Sequence, residues 1–151
     1  MSLDPAAAAE VFADMVIDCV YDSSLHSMDR VLRTGLDRNG ATEAERCLSR
    51  WFSELDQHDM LMVSRIVEQA VNSAVFGMLV LLDGATGGYP LTPTPSGFAL
   101  YLHEYGTSEH ESEEPTSSVR IDGEATGTDL HDLYTWLLSQ REATTPHNDL
   151  D

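Results

Sequence analysis

The sequence predicts an α+β domain: four N-terminal helices, a small mostly antiparallel sheet of about three strands, and a C-terminal helix. Three stretches carry that expectation. Between Asp56 and Gly84, the apolar residues Val63, Ile66, Val67, Ala70, Val71, Ala74 and Val75 recur every three or four positions, the period of one helix face. Phe98 to Tyr105, FALYLHEY, alternates strictly and so reads as a strand. Leu130, Leu133, Tyr134, Leu137 and Leu138 form a second helical stripe near the C-terminus.

In chain order, Asp4-Pro5 opens the first helix, with Asp4 as N-cap and proline in the first turn, where its missing N–H costs nothing. This helix is expected to reach about Tyr21 and to bury Phe12, Val16, Cys19 and Val20, with Met15 beside them. Glu10, Asp14, Asp18 and Asp22 follow one another at four-residue spacing on another face, a solvated acidic row. Ser23 or Ser24 starts a second helix carrying Leu25, Met28, Val31, Leu32 and Leu36, which ends near Gly35 and Asn39-Gly40. Thr42-Glu43-Ala44-Glu45 has the form of a capping box and begins a third helix, which is expected to bury Cys47, Leu48, Trp51, Phe52 and Leu55.

Asp56 caps the central helix, and Asp59 adds negative charge where the helix dipole favours it. Beyond Gly77 the continuous apolar run Met78–Leu82, closed by Asp83-Gly84, fits a buried strand, with a last helical turn as the alternative that periodicity leaves open. The Pro- and Gly-rich segment up to Gly97 is a loop, and its GATGG is only a weak phosphate-cradle motif. After FALYLHEY, an acidic loop leads to a short strand over Ser118–Asp122, which should pair antiparallel with it. The last helix spans about Asp129 to Arg141 with Thr128 as cap, and Trp136 lies at the margin of its apolar face. One domain over 5–141 is expected, with 142–151 a disordered acidic tail.

Charge is the chain's most unusual property. The 151 residues hold 26 acidic and 8 basic side chains, for a formal net charge of −18 at neutral pH, and every basic residue is arginine. That balance opposes association with nucleic acid and with anionic membranes. Arg30, Arg33 and Arg38 cluster at a helix C-terminus, where the dipole accounts for them. Acids scattered through almost every segment fit a surface adapted to high salt, because molar salt shortens the screening length to about 3 Å. A concentrated acidic face would instead suit an inhibitor or immunity-type binder of a basic toxin or nuclease.

No basic-then-apolar leader is visible, and the longest apolar run is about half of the ~20 residues a membrane span needs, so a cytoplasmic protein is expected. Cys19 and Cys47 lack metal or redox spacing and are read as free, buried thiols.

Catalytic signatures are sparse. Six histidines are present, none in HExxH or another zinc-ligand spacing, and no GxSxG elbow occurs. One enzyme arrangement can be assembled: a metal-assisted hydrolase in which His103, His131 and Asp83 converge from element edges to hold a divalent metal. The preferred expectation is a small accessory domain without catalytic activity or cofactor, acting through a protein partner or as a homo-oligomer.

Overall fold

The computed structural model describes residues 4–35, 39–84, 99–105, 115 and 117–144. The protein is mostly helical with a small antiparallel sheet. Its elements are α1 (Pro5–Val16), α2 (Ser23–Thr34), α3 (Glu43–Ser53), α4 (Gln57–Leu82), β1 (Tyr101–Glu104), β2 (Ser117–Arg120), α5 (Gly123–Thr126) and α6 (Leu130–Thr144). A π-helical segment, Ile17–Asp22, joins α1 to α2 without a break.

The described chain separates into two units, one made of residues 1–17 and 76–151 and the other of residues 18–75. In the first unit, α1 lies against α6 and α5 and touches β2. Its buried residues are Ala8, Ala9, Ala13, Val16 and Ile17 from the N-terminal segment, with Leu79, Ile121, Leu130, Tyr134 and Leu138. Alanines on α1 let the helix backbones approach closely, so the small side of α1 is the buried one. Cys19, Val20 and Met15, expected inside, are exposed. Arg141 of α6 donates to Asp14 of α1 at 2.6 Å, so one carboxylate of the acidic row is neutralised by the helix packed beside it. Both side chains are partly exposed, and an ion pair of that kind contributes at most about 1 kcal/mol.

In the second unit α2 packs on α3. Phe52, Leu32 and Ala41 are buried, and Ser49, 1% exposed, donates its hydroxyl to the Leu32 carbonyl at 3.0 Å. Gly35 sits where a Cβ would press on the Val31 carbonyl oxygen and the Ser49 Cβ, so close approach of the α2 end to α3 requires glycine there. Trp51, Leu48 and Cys47, expected in this core, lie exposed along α3.

The caps read from sequence at the first, third and fourth helices are present. Asp4 accepts from the Ala7 N–H at 3.3 Å, and Asp56 accepts from the Asp59 N–H at 2.9 Å. The capping box closes through Glu45 N–H to Thr42 at 3.2 Å and Thr42 N–H to Glu45 at 2.7 Å.

Three expectations about the elements are corrected. Residues 78–82 are not a strand but the last turns of α4, which runs unbroken for 26 residues, leaving a two-stranded sheet. The apolar run read as a strand is a helix segment of which Leu79 alone is fully buried. The helix count differs too, since the short α5 stands between β2 and the last helix. The central helix, expected to bury its whole apolar face, buries only Val75 and Leu79. Val63, Val67 and Val71 are half-buried, Ala70 and Ala74 are exposed, and Ile66 is 62% exposed. Periodicity identifies an apolar face but not what covers it.

Strands β1 and β2 pair antiparallel with Tyr101 opposite Arg120 and Leu102 opposite Val119, and Ile121 N–H to Leu100 O at 2.9 Å extends the ladder. Phe98 and the loops 85–97 and 106–114 lie outside the described residues.

Just past β2, Asp122 is 3% exposed and accepts from the Arg120 guanidinium at 2.7 Å and the Leu100 N–H at 3.2 Å; Arg120 also reaches Glu124 at 2.6 Å. Burial works to raise the Asp122 pKa, but the hydrogen bonds from Arg120 and Leu100 and the Arg120 charge outweigh it and hold the carboxyl below its ordinary 3.8.

Two predictions follow from the packing. In denaturant unfolding at low salt and low protein concentration, Leu79→Ala should cost about 2–4 kcal/mol, whereas Ile66→Ala should change stability by no more than about 0.5 kcal/mol. A carboxyl whose folded pKa is depressed stabilises above its unfolded value and loses that contribution as pH falls through the folded one. Asp122→Asn should therefore lower the urea midpoint at pH 7, and its gap from the wild type should narrow as pH drops below about 4. A gap that stays constant down to pH 2 would mean the Asp122 charge contributes nothing.

Candidate functional site

Two of the three residues expected to converge do so. α4 ends at Asp83-Gly84, where Asp83 N–H donates to Leu79 O at 2.9 Å and Gly84 takes the left-handed φ of +71° that closes a helix C-terminus. This turn places the Asp83 side chain, 0% exposed, at the first turn of α6. Its Oδ1 accepts from Leu130 N–H at 3.0 Å, and its Oδ2 accepts from His131 N–H at 3.1 Å. The His131 ring nitrogen Nδ1 lies 2.8 Å from the same Oδ2.

Asp83 is thus an N-cap supplied from 47 residues away, in the position sequence assigned to Thr128. The orphan N–H groups of a first helical turn need acceptors, and a buried carboxylate answers them with charge as well as geometry. No local sequence signal marks a cap of this kind, because the acceptor belongs to another helix.

A carboxylate accepts, so this contact engages the ring through Nδ1 and leaves Nε2 as the nitrogen without a hydrogen-bond partner among the described residues. Phe76 of α4 sets its ring edge-on to His131, with centroids 5.3 Å apart and planes at 81°. The His131 side chain is 15% exposed, and its Nε2 lies 3.7 Å from an Asp132 carboxylate oxygen. Asp129 completes a cluster: one ligand atom each of Asp129, His131 and Asp132 lies within 4.8 Å of the others. Asp129 is backed by Gly123, where a Cβ would collide with its Oδ1.

His103 stands elsewhere. It projects from β1, stacks near Tyr101 with centroids 6.4 Å apart, and its Nδ1 is 2.6 Å from the Ser118 hydroxyl. Among the described residues the single cluster of potential metal ligands does not include it. From sequence, Asp129, two residues before His131, is not singled out, and the adjacent Asp132 is set aside because neighbours on a helix point about 100° apart.

Chemically, the corner offers a fixed imidazole with an available nitrogen beside two carboxylates. Among the described residues no hydroxyl or thiol is hydrogen-bonded to Nε2, so no nucleophile–base pair is assembled. Both cysteines are free and, contrary to expectation, exposed. A separate groove of about 370 Å³ is lined by Asp4, Glu10, Thr126, Thr128 and Leu133 with the α1 alanines. Its threonine at 126 is committed to the carbonyls of Asp122 and Thr128.

No family model matches the chain, and neither does any curated protein or solved structure. The fold and the corner together define a helical domain with a buried Asp–His pair linking two of its helices.

If Asp83 caps α6, Asp83→Ala should cost about 1–3 kcal/mol in urea unfolding, while Thr128→Ala should be near neutral. Equal losses for the two variants would return the capping role to Thr128.

Proposed function

We propose that this chain is a small acidic assembly domain, without a catalytic role, that pairs with a second copy of itself through α4. The observation that carries this reading is the exposed stripe of that helix. Met62, Ile66, Ala70, Ser73, Gly77 and Leu81, spaced by three or four residues, are all exposed and share one face. Exposed apolar surface of this extent on an otherwise charged chain is a mark of an interaction face.

Charge favours a copy of the chain as the occupant. Residues 69–82 contain no charged side chain, although the protein as a whole carries 34 Asp, Glu and Arg residues (26 acidic and 8 basic). A basic partner would be met by carboxylates, whereas a neutral apolar stripe is complementary to itself, as a two-fold interface requires. Gly77 adds to the argument. It sits inside a helix, where glycine costs about 1 kcal/mol relative to alanine, and nothing lies within 4 Å of its would-be Cβ. No neighbour among the described residues requires glycine there, while a helix crossing close to Ser73–Gly77 would.

By length and composition α4 is also apolar enough to cross a bilayer, and only 11% of its most apolar window is buried. Arg65 and Glu68 stand in its N-terminal half, and the Tyr21 hydroxyl donates to Glu68 at 3.3 Å. Charged groups at that depth are costly in hydrocarbon, which favours a protein occupant. Adaptation of the acidic surface to high salt belongs to the same reading, since screening lets two chains of this charge approach.

Sedimentation velocity in molar KCl should give a dimer that weakens as salt is lowered. The double variant Ile66→Glu/Ala70→Glu should sediment as a folded monomer, with helix content by circular dichroism unchanged. A wild-type monomer at tens of micromolar in high salt would overturn the reading, as would a dimer indifferent to both substitutions. Flotation with neutral vesicles would replace the protein partner with lipid.

A further inference from the structure

We propose that His131, Asp129 and Asp132 form a binding site for a divalent transition-metal cation such as zinc, with Asp83 as the positioning residue that aims the imidazole. The inference rests on the commitment of each atom rather than on acidity alone. Asp83, with a side chain 0% exposed, is engaged by two backbone N–H groups and the imidazole and has no part in the cluster; its 2.8 Å contact with Nδ1 holds the ring's orientation. A carboxylate holding the far nitrogen of an imidazole is the usual outer partner of a metal-bound histidine, and it raises the basicity of the nitrogen left to the metal.

That nitrogen, Nε2, lies 3.7 Å from an Asp132 carboxylate oxygen, and an Asp129 carboxylate oxygen comes within 4.8 Å of the His131 ring. Asp129 accepts no side-chain hydrogen bond from the described residues, and Asp132 has only the 3.7 Å approach of Nε2 itself. The helix dipole welcomes acids in a first turn, which explains Asp129 and Asp132 as charges. It does not explain an imidazole held by Asp83 with its Nε2 toward Asp132.

One imidazole nitrogen and two carboxylate oxygens suit zinc and its neighbours better than magnesium or calcium, which prefer all-oxygen shells. Such ligands stand about 2.0–2.2 Å from zinc, so donor atoms come to within roughly 3.5 Å of one another. The present cluster, within 4.8 Å, closes to that size when Asp129 turns toward the ring together with Asp132, whose side chain is 71% exposed. Water would complete the coordination.

The test is calorimetric titration of the chelator-stripped full chain with zinc, with His103→Ala as a control that keeps every proposed ligand. One equivalent should bind to the wild type and to the control. Asp132→Asn, a change at an exposed side chain that spares the fold, should weaken binding at least about tenfold, and His131→Ala should abolish that equivalent. Asp83→Asn should weaken it by about 10–100-fold. It should also alter the pH dependence of affinity, because an amide can donate to Nδ1 and leave the proton on Nε2. Zinc binding that survives both Asp132→Asn and His131→Ala would overturn the proposal, as would uptake abolished by alkylating the exposed Cys19 and Cys47 or no uptake at all.

Discussion

The Asp83 carboxylate is the interaction on which the unit built from α1, α4's last turns, the sheet and α6 depends. It sits at the C-terminal end of one helix and answers the N-terminal end of another, giving three donors one buried acceptor group. Leu79 and Leu130, both 0% exposed, lie one turn before it and directly under it. Apolar packing and the charged cap are therefore one structural event. A carboxylate buried without donors would be expensive, and the same carboxylate with its donors fixes the start of α6, the helix that packs on α1 and carries the buried Tyr134 and Leu138.

That arrangement explains which sequence signals survived folding. Local signals held: Asp4, Thr42-x-x-Glu45 and Asp56 cap as their spacing implied, and Tyr101–Glu104 of FALYLHEY pair with Ser117–Arg120. Their partners lie within a few residues, or along a ladder whose period the sequence displays. The stripe Leu130, Leu133, Tyr134, Leu137 and Leu138 is likewise buried or half-buried. Non-local partners were not legible. Nothing near Thr128 announces that Asp83 will replace it, and nothing near Met78 says whether an unbroken apolar run continues a helix or starts a strand. The convergence of Asp83 and His131 could be named from sequence only because both stand at element ends; the exclusion of His103 was set by the register of β1 on β2.

Burial was the least legible property, and the failures share a cause. On α1, α3 and α4 the larger apolar residues were assigned to the core, yet Met15, Trp51 and Ile66 are exposed while Ala8, Ala9, Ala13 and Ser49 are buried. On α1 and α3 small residues occupy many of the buried positions, beside larger ones such as Val16 and Phe52. Hydrophobicity alone ranks the wrong side of such a helix.

The same inversion bears on the acidic composition. The proposed adaptation to high salt would account for carboxylates spread over nearly every segment, because screening would remove the repulsion they otherwise exert. It gives no reason for a helix half that carries no charge and leaves Phe76, Met78 and Leu81 exposed. High salt also strengthens apolar association, so an uncovered apolar face becomes more adhesive in the solvent that the acids suit. A chain adapted to that solvent without a use for the face would gain by placing acids there, as it does on every other helix. Their absence from residues 69–82 is therefore better explained by an interface than by composition.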